Sequence, residues 1–206
     1  MPSRPLALYR LMFVAMLIGF LGGCASLPEL SREEWLAFHN KTYENVTTDE
    51  VIEAAEKALE TTDPRDMTFS HRKDGFLATR PWLYYMVIGA ASGTDFYDLT
   101  VTELDDGRVR AELYMTRSGS MMAATPNVGG AGGTSVTTIP GNSQPIESTA
   151  ASYAMWKRFD YFLGLEDQWY DCPRIKALKD ADPSIWGHTD NVCGIGLSDD
   201  PPPPVD

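Results

Sequence analysis

The side chains in this 206-residue sequence that could perform covalent or metal chemistry are few and widely separated. Its three cysteines and three histidines show neither the HxxxH nor the CxxC spacing of a zinc site. The sharpest catalytic alternative pairs Cys172 as nucleophile with His188 as base, because a nearby imidazole lowers the pKa of a thiol. No known motif surrounds either residue. We therefore predict no catalytic residue, no metal site and no cofactor.

Acidic pairs such as Asp105-Asp106 and Asp199-Asp200 do not improve the case for an enzyme. General acid–base catalysis requires a buried carboxyl group with a raised pKa, whereas acids in turns and tails are solvated. No serine has the pattern of a nucleophile elbow. The glycine run 129–133 lacks the Lys-Ser/Thr pair of a phosphate loop. A hydrolase is the third hypothesis, and it would need a cleft that places a histidine beside an acid or a serine.

The first 23 residues have the three-part organisation of a secretory signal. Arg4 and Arg10 supply positive charge, residues 11–20 are uncharged, and small residues follow. An apolar run of this length is too short for a membrane-spanning helix, which needs about 20 residues. We therefore expect residues 1–23 to be removed as a signal peptide.

The residues after this apolar run, Leu21-Gly22-Gly23-Cys24, resemble the lipobox of bacterial lipoproteins. The resemblance implies that Cys24 is acylated and becomes the new N-terminus, so that residues 24–31 form a lipidated tether. Two or three acyl chains hold a protein durably on a membrane, whereas one holds it reversibly. Ala25 resembles the neutral residue that directs lipoproteins of Gram-negative hosts to the outer membrane. The implied location is the outer membrane, with the domain facing the periplasm.

With Cys24 acylated, Cys172 and Cys193 remain as a pair. An exported protein meets an oxidising compartment, in which thiols that can approach each other are oxidised. We therefore predict a disulfide between Cys172 and Cys193.

The charge of the chain excludes some partners. Loss of residues 1–23 removes two arginines and no acid, so the formal net charge falls from −12 to −14. Nucleic acid is excluded as a partner because phosphate contacts need clustered Lys and Arg. The same charge disfavours adsorption to anionic lipid. We expect the lipid anchor alone to attach the protein to its membrane.

Residues 32–197 show the patterns of a single domain. Capping signals at Ser31 and Thr47 predict helices over 32–40 and 48–61, and a third helical pattern follows Ser148. Between these helices, turns at residues 74–75 and 105–107 predict two β-hairpins, separated by a weaker β-rich stretch over 82–88. The order predicts an α+β fold: an antiparallel sheet of about four strands (two hairpins), with helices packed on one face.

Residues 118–146 contain six glycines and no Lys, Arg, Asp or Glu. An insertion of this length without structure is usually functional or disordered. We interpret it as a mobile Gly-rich insertion, either disordered or a hairpin, or alternatively as a contact surface for a partner that uses Met121 and Met122 as adaptable apolar side chains. Beyond the third helix, we expect irregular structure over 165–197 and a disordered Pro-rich tail over 198–206.

Aromatic residues recur at helical spacing in the third helix, with Trp156 and Phe159 among them. Such a face is expected to cover the apolar side of the sheet. The alternative is that Trp156 and Phe159 line a pocket between sheet and helix for a small apolar or glycan ligand. A cavity beside these two residues would favour that alternative.

The order of elements loosely resembles the small helix-grip domains of envelope lipoproteins, including those attached to outer-membrane assembly machinery. Fold alone does not determine function. Because no residue set forms a convincing active site, the first hypothesis is a non-enzymatic lipoprotein that binds or scaffolds another envelope protein. The alternative is a lipoprotein that binds a small ligand or a glycan. A filled core with residues 118–146 protruding would favour the first function.

Overall fold

The computed structural model of the chain describes residues 31–87, 89–126, 134–194 and 197–199. Contacts divide the chain into two compact units at Trp35. The first unit carries the start of helix α1 (Arg32–His39). Ser31 Oγ accepts from the Glu34 backbone N–H at 3.2 Å, and Glu34 accepts from the Ser31 N–H at 2.9 Å. This reciprocal pair is the predicted capping box.

The second unit, residues 36–206, carries the sheet and the other described helices. The strands, in chain order, are β1 (Asn40–Tyr43), β2 (Thr68–Arg72), β3 (Gly75–Met86), β4 (Gly89–Glu103), β5 (Val109–Pro126), β6 (Thr134–Pro140) and the two-residue β7 (Gln144–Pro145). The helices are α2 (Thr48–Thr62), α3 (Thr149–Phe162), α4 (Cys172–Ala181) and α5 (Asp190–Cys193).

The strands form one sheet in the order β1-β5-β4-β3-β2, and β6 and β7 also pair with β5. Every pair is antiparallel. The α+β class is therefore as predicted, but the sheet has six strands and the short β7 where about four were expected. The sequence Asn40–Tyr43 is polar and short, so it carries no clear strand pattern. Pairing with the exposed edge of β5 makes it a strand.

One face of the sheet forms the hydrophobic core with α2 and α3. Side chains alternate along a strand, and on β5 the odd-numbered residues from Val109 to Met115 are buried. They join Leu59 of α2 and Phe159 of α3 in a single cluster. The helices thus cover the same face of the sheet. The alternate residues on β5, such as Arg110 and Glu112, are partly exposed.

Parts of the glycine-rich segment 118–146 form strands, and residues 127–133 between them lie outside the described residues. Strand β5 continues through residue 126, and β6 pairs with it from Pro126↔Thr134 to Ser120↔Pro140. The β-branched residues of the Thr-Ser-Val-Thr-Thr-Ile run in β6 favour an extended backbone, and this preference outweighs the glycines around them. Residues 82–86 of the weaker stretch 82–88 are likewise part of a strand, since β3 extends through Met86.

The C-terminal region also differs from prediction, because 165–197 contains α4 and α5 where irregular structure was expected. Helix α4 begins at a cap that the sequence analysis missed: the Asp171 side chain accepts from the Arg174 N–H at 2.8 Å, and Pro173 lies in the first turn. The first residues of the expected tail are attached to the domain. The Ser198 N–H donates to the Thr62 carbonyl oxygen at 2.9 Å.

Candidate functional site

A fully buried carboxylate, Asp95, lies between two arginines in the middle of the sheet. Arg80 on β3 and Arg117 on β5 lie directly opposite Asp95 on β4. Arg80 Nη2 donates to Asp95 Oδ2 at 2.8 Å, and Arg117 donates from Nε and Nη2 at 2.6 and 2.9 Å. Asp63, just after α2, lies 3.8 Å from Arg80 Nη1. We call these four residues the Asp95 cluster.

The Asp95 cluster balances its charges internally, with two arginines facing two aspartates. The hydrogen bonds to Asp95 raise the pKa of Arg117 above its ordinary value. Buried charges of this kind are tolerated when they are paired and hydrogen-bonded, and they disfavour alternative registers that would separate them. The arrangement suits the fixing of register between β3, β4 and β5.

The charged residues of these strands end at the Asp95 cluster. Beyond Arg80 and Asp95, residues 81–94 contain no Lys, Arg, Asp or Glu, and the uncharged segment 118–146 begins immediately after Arg117. Register places these segments side by side, because Trp82 pairs with Gly93 and Gly93 pairs with Gly119. We call the sheet formed by residues 81–87, 89–94, 118–126 and 134–140 the uncharged arm.

The uncharged arm exposes large apolar side chains on both of its faces. Consecutive residues of a strand point to opposite faces. On β5, the consecutive residues Met121 and Met122 are 45% and 37% exposed. On β3, the consecutive residues Tyr85 and Met86 are 83% and 42% exposed. Neither face at this level is therefore covered by the described helices. The methionines predicted as partner contacts lie on this surface.

The indole of Trp82 lies at the base of the uncharged arm, across two glycines. A Cβ atom on Gly93 or Gly119 would lie 2.5 or 2.7 Å from Trp82 Cζ2, closer than atoms can approach. Both positions therefore require glycine if the ring is to lie flat on β4 and β5. The Arg117 guanidinium lies 5.2 Å from the centre of the ring, within cation–π distance.

A cavity of about 350 Å³ lies beside Trp82 and Arg117. Its other wall comes from the C-terminal region, through His188, Asp190 and Asn191. The hydroxyl of Tyr97 donates to the Asn191 carbonyl oxygen at 2.7 Å, which attaches this wall to β4. His188, which the sequence suggested only as a possible base for Cys172, lies at this cavity.

The sulfur atoms of Cys172 and Cys193 lie 2.14 Å apart, which is consistent with the predicted disulfide. A bonded Cys172 is not available as a nucleophile for His188. The bond joins the first residue of α4 to the last residue of α5. The wall residues of the cavity therefore lie within the closed loop. Cys24, the predicted lipidation site, lies outside the described residues.

Arg158 on α3 holds the same region from inside the core. Its side chain has no exposed surface, and burial lowers its pKa to about 10. It donates to Thr62 Oγ1 at 2.8 Å, to the Tyr170 carbonyl oxygen at 3.1 Å and to the Val192 carbonyl oxygen at 3.3 Å. Its guanidinium also stacks 4.7 Å from the ring of Trp169. Arg158 thus connects α2, α3 and the C-terminal region.

Trp156 and Phe159, the alternative ligand-binding pair, belong to the hydrophobic core. Both are buried, and their rings pack edge to face at 5.4 Å. Trp156 Nε1 donates to the Phe38 carbonyl oxygen at 2.8 Å, so its polar group is satisfied within the domain. These contacts match the expectation that the aromatic helix covers the sheet.

The histidines lie apart from one another. His39 is buried and forms a 2.9 Å hydrogen bond with the Leu113 carbonyl oxygen, while His71 lies 3.1 Å from Glu56 at the surface. Burial lowers the pKa of His39. Within the described ranges, no three His, Cys, Asp or Glu side chains converge as a metal site would require.

Sequence reasoning missed Arg80, Trp82, Asp95 and Arg117. The available indication was the position of the three charged residues. Arg80, Asp95 and Arg117 each stand next to one end of an uncharged run, either 81–94 or 118–146. Their convergence depends on strand register, which the sequence analysis did not assign.

None of the helices in the part of the chain that the structure describes combines the length and hydrophobicity needed to cross a bilayer. Comparison of the chain with protein-family models, with curated proteins and with solved structures finds no match to any of them.

Proposed function

We propose that this chain is a non-enzymatic, lipid-anchored envelope protein that binds another envelope protein through the uncharged arm. One observation carries the proposal: charged residues stop at the Asp95 cluster, and beyond it the arm exposes Tyr85, Met86, Met121 and Met122. Exposed apolar surface of this kind is typical of protein or membrane contact sites. Methionine and tyrosine suit such a contact, because their side chains adapt to or anchor in a partner surface.

The edges of the uncharged arm favour a protein over a lipid as the occupant. Among the described residues, β3 beyond Thr79 pairs only with β4, and β6 pairs only with β5. Unpaired backbone N–H and C=O groups in a lipid interior have no partner, which is unfavourable by several kcal/mol for each group. A strand of another protein pairs with them directly. We infer that the partner contributes an extended segment to an edge of the arm.

Site-specific photocrosslinking in the native host tests this function. A benzophenone amino acid at Tyr85 of the full chain should give a discrete protein adduct of higher mass. The same group at Thr102, which is exposed on β4 at the other end of the sheet, is the matched control and should give none. Val87→Lys should abolish the Tyr85 adduct, because a charge in an apolar contact loses its hydration.

Two results would contradict the proposal. Adducts of equal yield at Tyr85 and Thr102 would show that the arm has no special role. Crosslinks from Tyr85 to lipid alone would assign the arm to the membrane.

The lipid anchor is proposed from the lipobox resemblance, and it has its own test. Cells fed a palmitate analogue should label the chain, and the mature N-terminus should be Cys24. Cys24→Ala should remove the label and release the protein from the membrane fraction, because the acidic domain has little affinity for anionic lipid. A mature chain that begins at Met1 with an unmodified Cys24 thiol would refute the anchor.

A further inference from the structure

The cavity beside Trp82 lies at the base of the uncharged arm, and none of the exposed residues Tyr85, Met86, Met121 and Met122 lines it. It has the features of a small-molecule site. We propose that it binds one uncharged sugar ring of a glycan. This proposal does not depend on the protein partner proposed above. It also differs from the alternative of a pocket at Trp156 and Phe159, whose rings pack in the core.

The base of the site is an aromatic ring held in a fixed position. The Trp82 indole lies across Gly93 and Gly119, and Gly119 itself lines the cavity. Glycines on two neighbouring strands therefore leave room for the ring, and Gly93 also leaves room for the Ser118 carbonyl oxygen, 1.9 Å from where its Cβ atom would lie. A sugar ring has an apolar face of C–H groups, which packs against an indole, and an edge of hydroxyl groups.

Two buried polar atoms among the lining residues have no hydrogen-bond partner within the described structure. They are the indole Nε1 of Trp82, which is a donor, and Oδ1 of Asn191, which is an acceptor. Asn191 is only 2% exposed. A buried polar atom is normally hydrogen-bonded, and unpaired polar groups on two residues that line one cavity are consistent with a ligand that carries hydroxyl groups. A hydroxyl group can both accept and donate.

The charge around the cavity favours a neutral ligand. Arg117 lines it, but both oxygens of Asp95 already accept from this guanidinium. Asp190 adds a further carboxylate to the lining. Among the lining side chains with a fixed charge, Arg117 is paired and Asp190 is negative, so none of them supplies an uncompensated positive charge for an anion. Its remaining polar lining includes the amides of Asn142 and Gln144, which carry donors and acceptors suited to hydroxyl groups.

The volume of the cavity limits the ligand to one ring. At about 350 Å³, it is near the lower end of the range of roughly 300–1,000 Å³ for small-molecule sites. A single sugar unit fits such a space, and its glycosidic neighbours would remain outside.

Nuclear magnetic resonance of the full chain with ¹⁵N-labelled indoles tests the proposal. The chain has five tryptophans, and Trp82→Phe identifies the Trp82 signal. Titration with the β-1,4-linked trimer of N-acetylglucosamine, and separately with maltotriose, should shift the Trp82 N–H signal saturably with at least one of them. The other four indole signals should stay in place, because only Trp82 lines the cavity among the tryptophans.

A matched pair of variants separates binding from folding. Gln144→Ala removes an exposed amide at the cavity and should weaken sugar binding about tenfold, the effect of losing a hydrogen bond at a ligand. Gln168→Ala removes an exposed amide that is not among the lining residues, and it should leave affinity unchanged. Gly119→Ala should displace the Trp82 ring and abolish binding, with the other indole signals reporting whether the fold is intact.

Three outcomes would overturn the assignment. The first is no shift of the Trp82 signal with either sugar. The second is a shift with sodium acetate or phosphate but with neither sugar, which would make the ligand an anion. The third is an equal effect of Gln144→Ala and Gln168→Ala on sugar affinity.

Discussion

At the scale of single residues, Asp95 is a buried charge that also joins three neighbouring strands. Its carboxylate accepts from Arg80 and Arg117, and all three lie in register on neighbouring strands. A buried pair contributes little net stability relative to apolar residues, but the loss of one partner leaves an uncompensated charge. The cluster should therefore be sensitive to the removal of any single charge.

We expect Asp95→Asn to lower the free energy of unfolding by about 3 kcal/mol or more, because Arg80 stays buried with only the more distant Asp63 to balance it. Urea-induced unfolding measures the change. Asp98→Asn is the matched control on the same strand, since Asp98 is 45% exposed and pairs with Arg72 at the surface. Its effect should stay within about 1 kcal/mol, and equal losses for the two variants would contradict this account.

His39 gives a prediction on pH dependence. Burial lowers the pKa of folded His39, so the unfolded chain takes up the proton first as the pH falls through the ordinary histidine value of 6.5. The stability that the neutral imidazole contributes is complete above that value and is lost during acidification towards the folded pKa.

Urea unfolding of the wild type and of His39→Gln at several pH values between 7.5 and 5 checks this sign. The wild type should lose more stability than the variant over this interval. A larger loss in the variant would show that protonation of His39 favours the fold.

At the scale of elements, the disulfide joins α4 to α5 through two cysteines that lie 21 residues apart in the sequence. Closing a loop of this length should stabilise the native state by about 3 kcal/mol through the unfolded chain. Cys172→Ser with Cys193→Ser should lower the free energy of unfolding by about that amount. Unfolding of the wild type with and without a thiol reductant is the control. The reductant should have no effect on the double variant, and an effect there would mean that the loss has another cause.

Local signals explain which elements could be predicted. The capping boxes at Ser31 and Thr47 join residues three positions apart, and they start α1 and α2 as expected. The turns after β2 and β4 are local in the same way. Helix α4 was missed although its Asp171 cap is equally local, because the cysteine and proline that follow suggested a loop.

Long-range contacts explain what could not be predicted. The bonds of the Asp95 cluster join residues 15 and 22 positions apart, and they exist only once strand register is set. Residues 134–140 form strand β6 because they pair with β5, which lies on the other side of the glycine run in the sequence. The candidate cavity combines β3, β5 and the C-terminal region, so neither its position nor its lining follows from any single stretch of sequence.

At the scale of the whole molecule, charge is distributed unevenly. The chain carries a formal net charge of −12, yet residues 81–94 and 118–146 contribute none of it. Net charge keeps proteins apart in solution, and charged side chains on edge strands prevent edge-to-edge pairing. The uncharged arm has neither protection.

We therefore expect the purified chain to self-associate through the arm when no partner is present. Tyr85→Lys should reduce this association without changing the unfolding free energy, because the side chain is 83% exposed. Sedimentation velocity over a range of protein concentrations measures the effect. Thr102→Lys, at an exposed position of β4 outside the arm, should leave association unchanged. Association that both substitutions reduce equally would mean that general charge repulsion explains the effect.

The loop closed by Cys172 and Cys193 also links the candidate cavity to the redox conditions around the protein. His188, Asp190 and Asn191 form one wall of that cavity, and all three lie between the two bonded cysteines. Where glutathione or thioredoxin keeps thiols reduced, this wall loses its covalent tie to α4. Newly made chains in such a compartment would hold this wall only through non-covalent contacts such as the Tyr97–Asn191 hydrogen bond, so we expect weaker ligand recognition before oxidation.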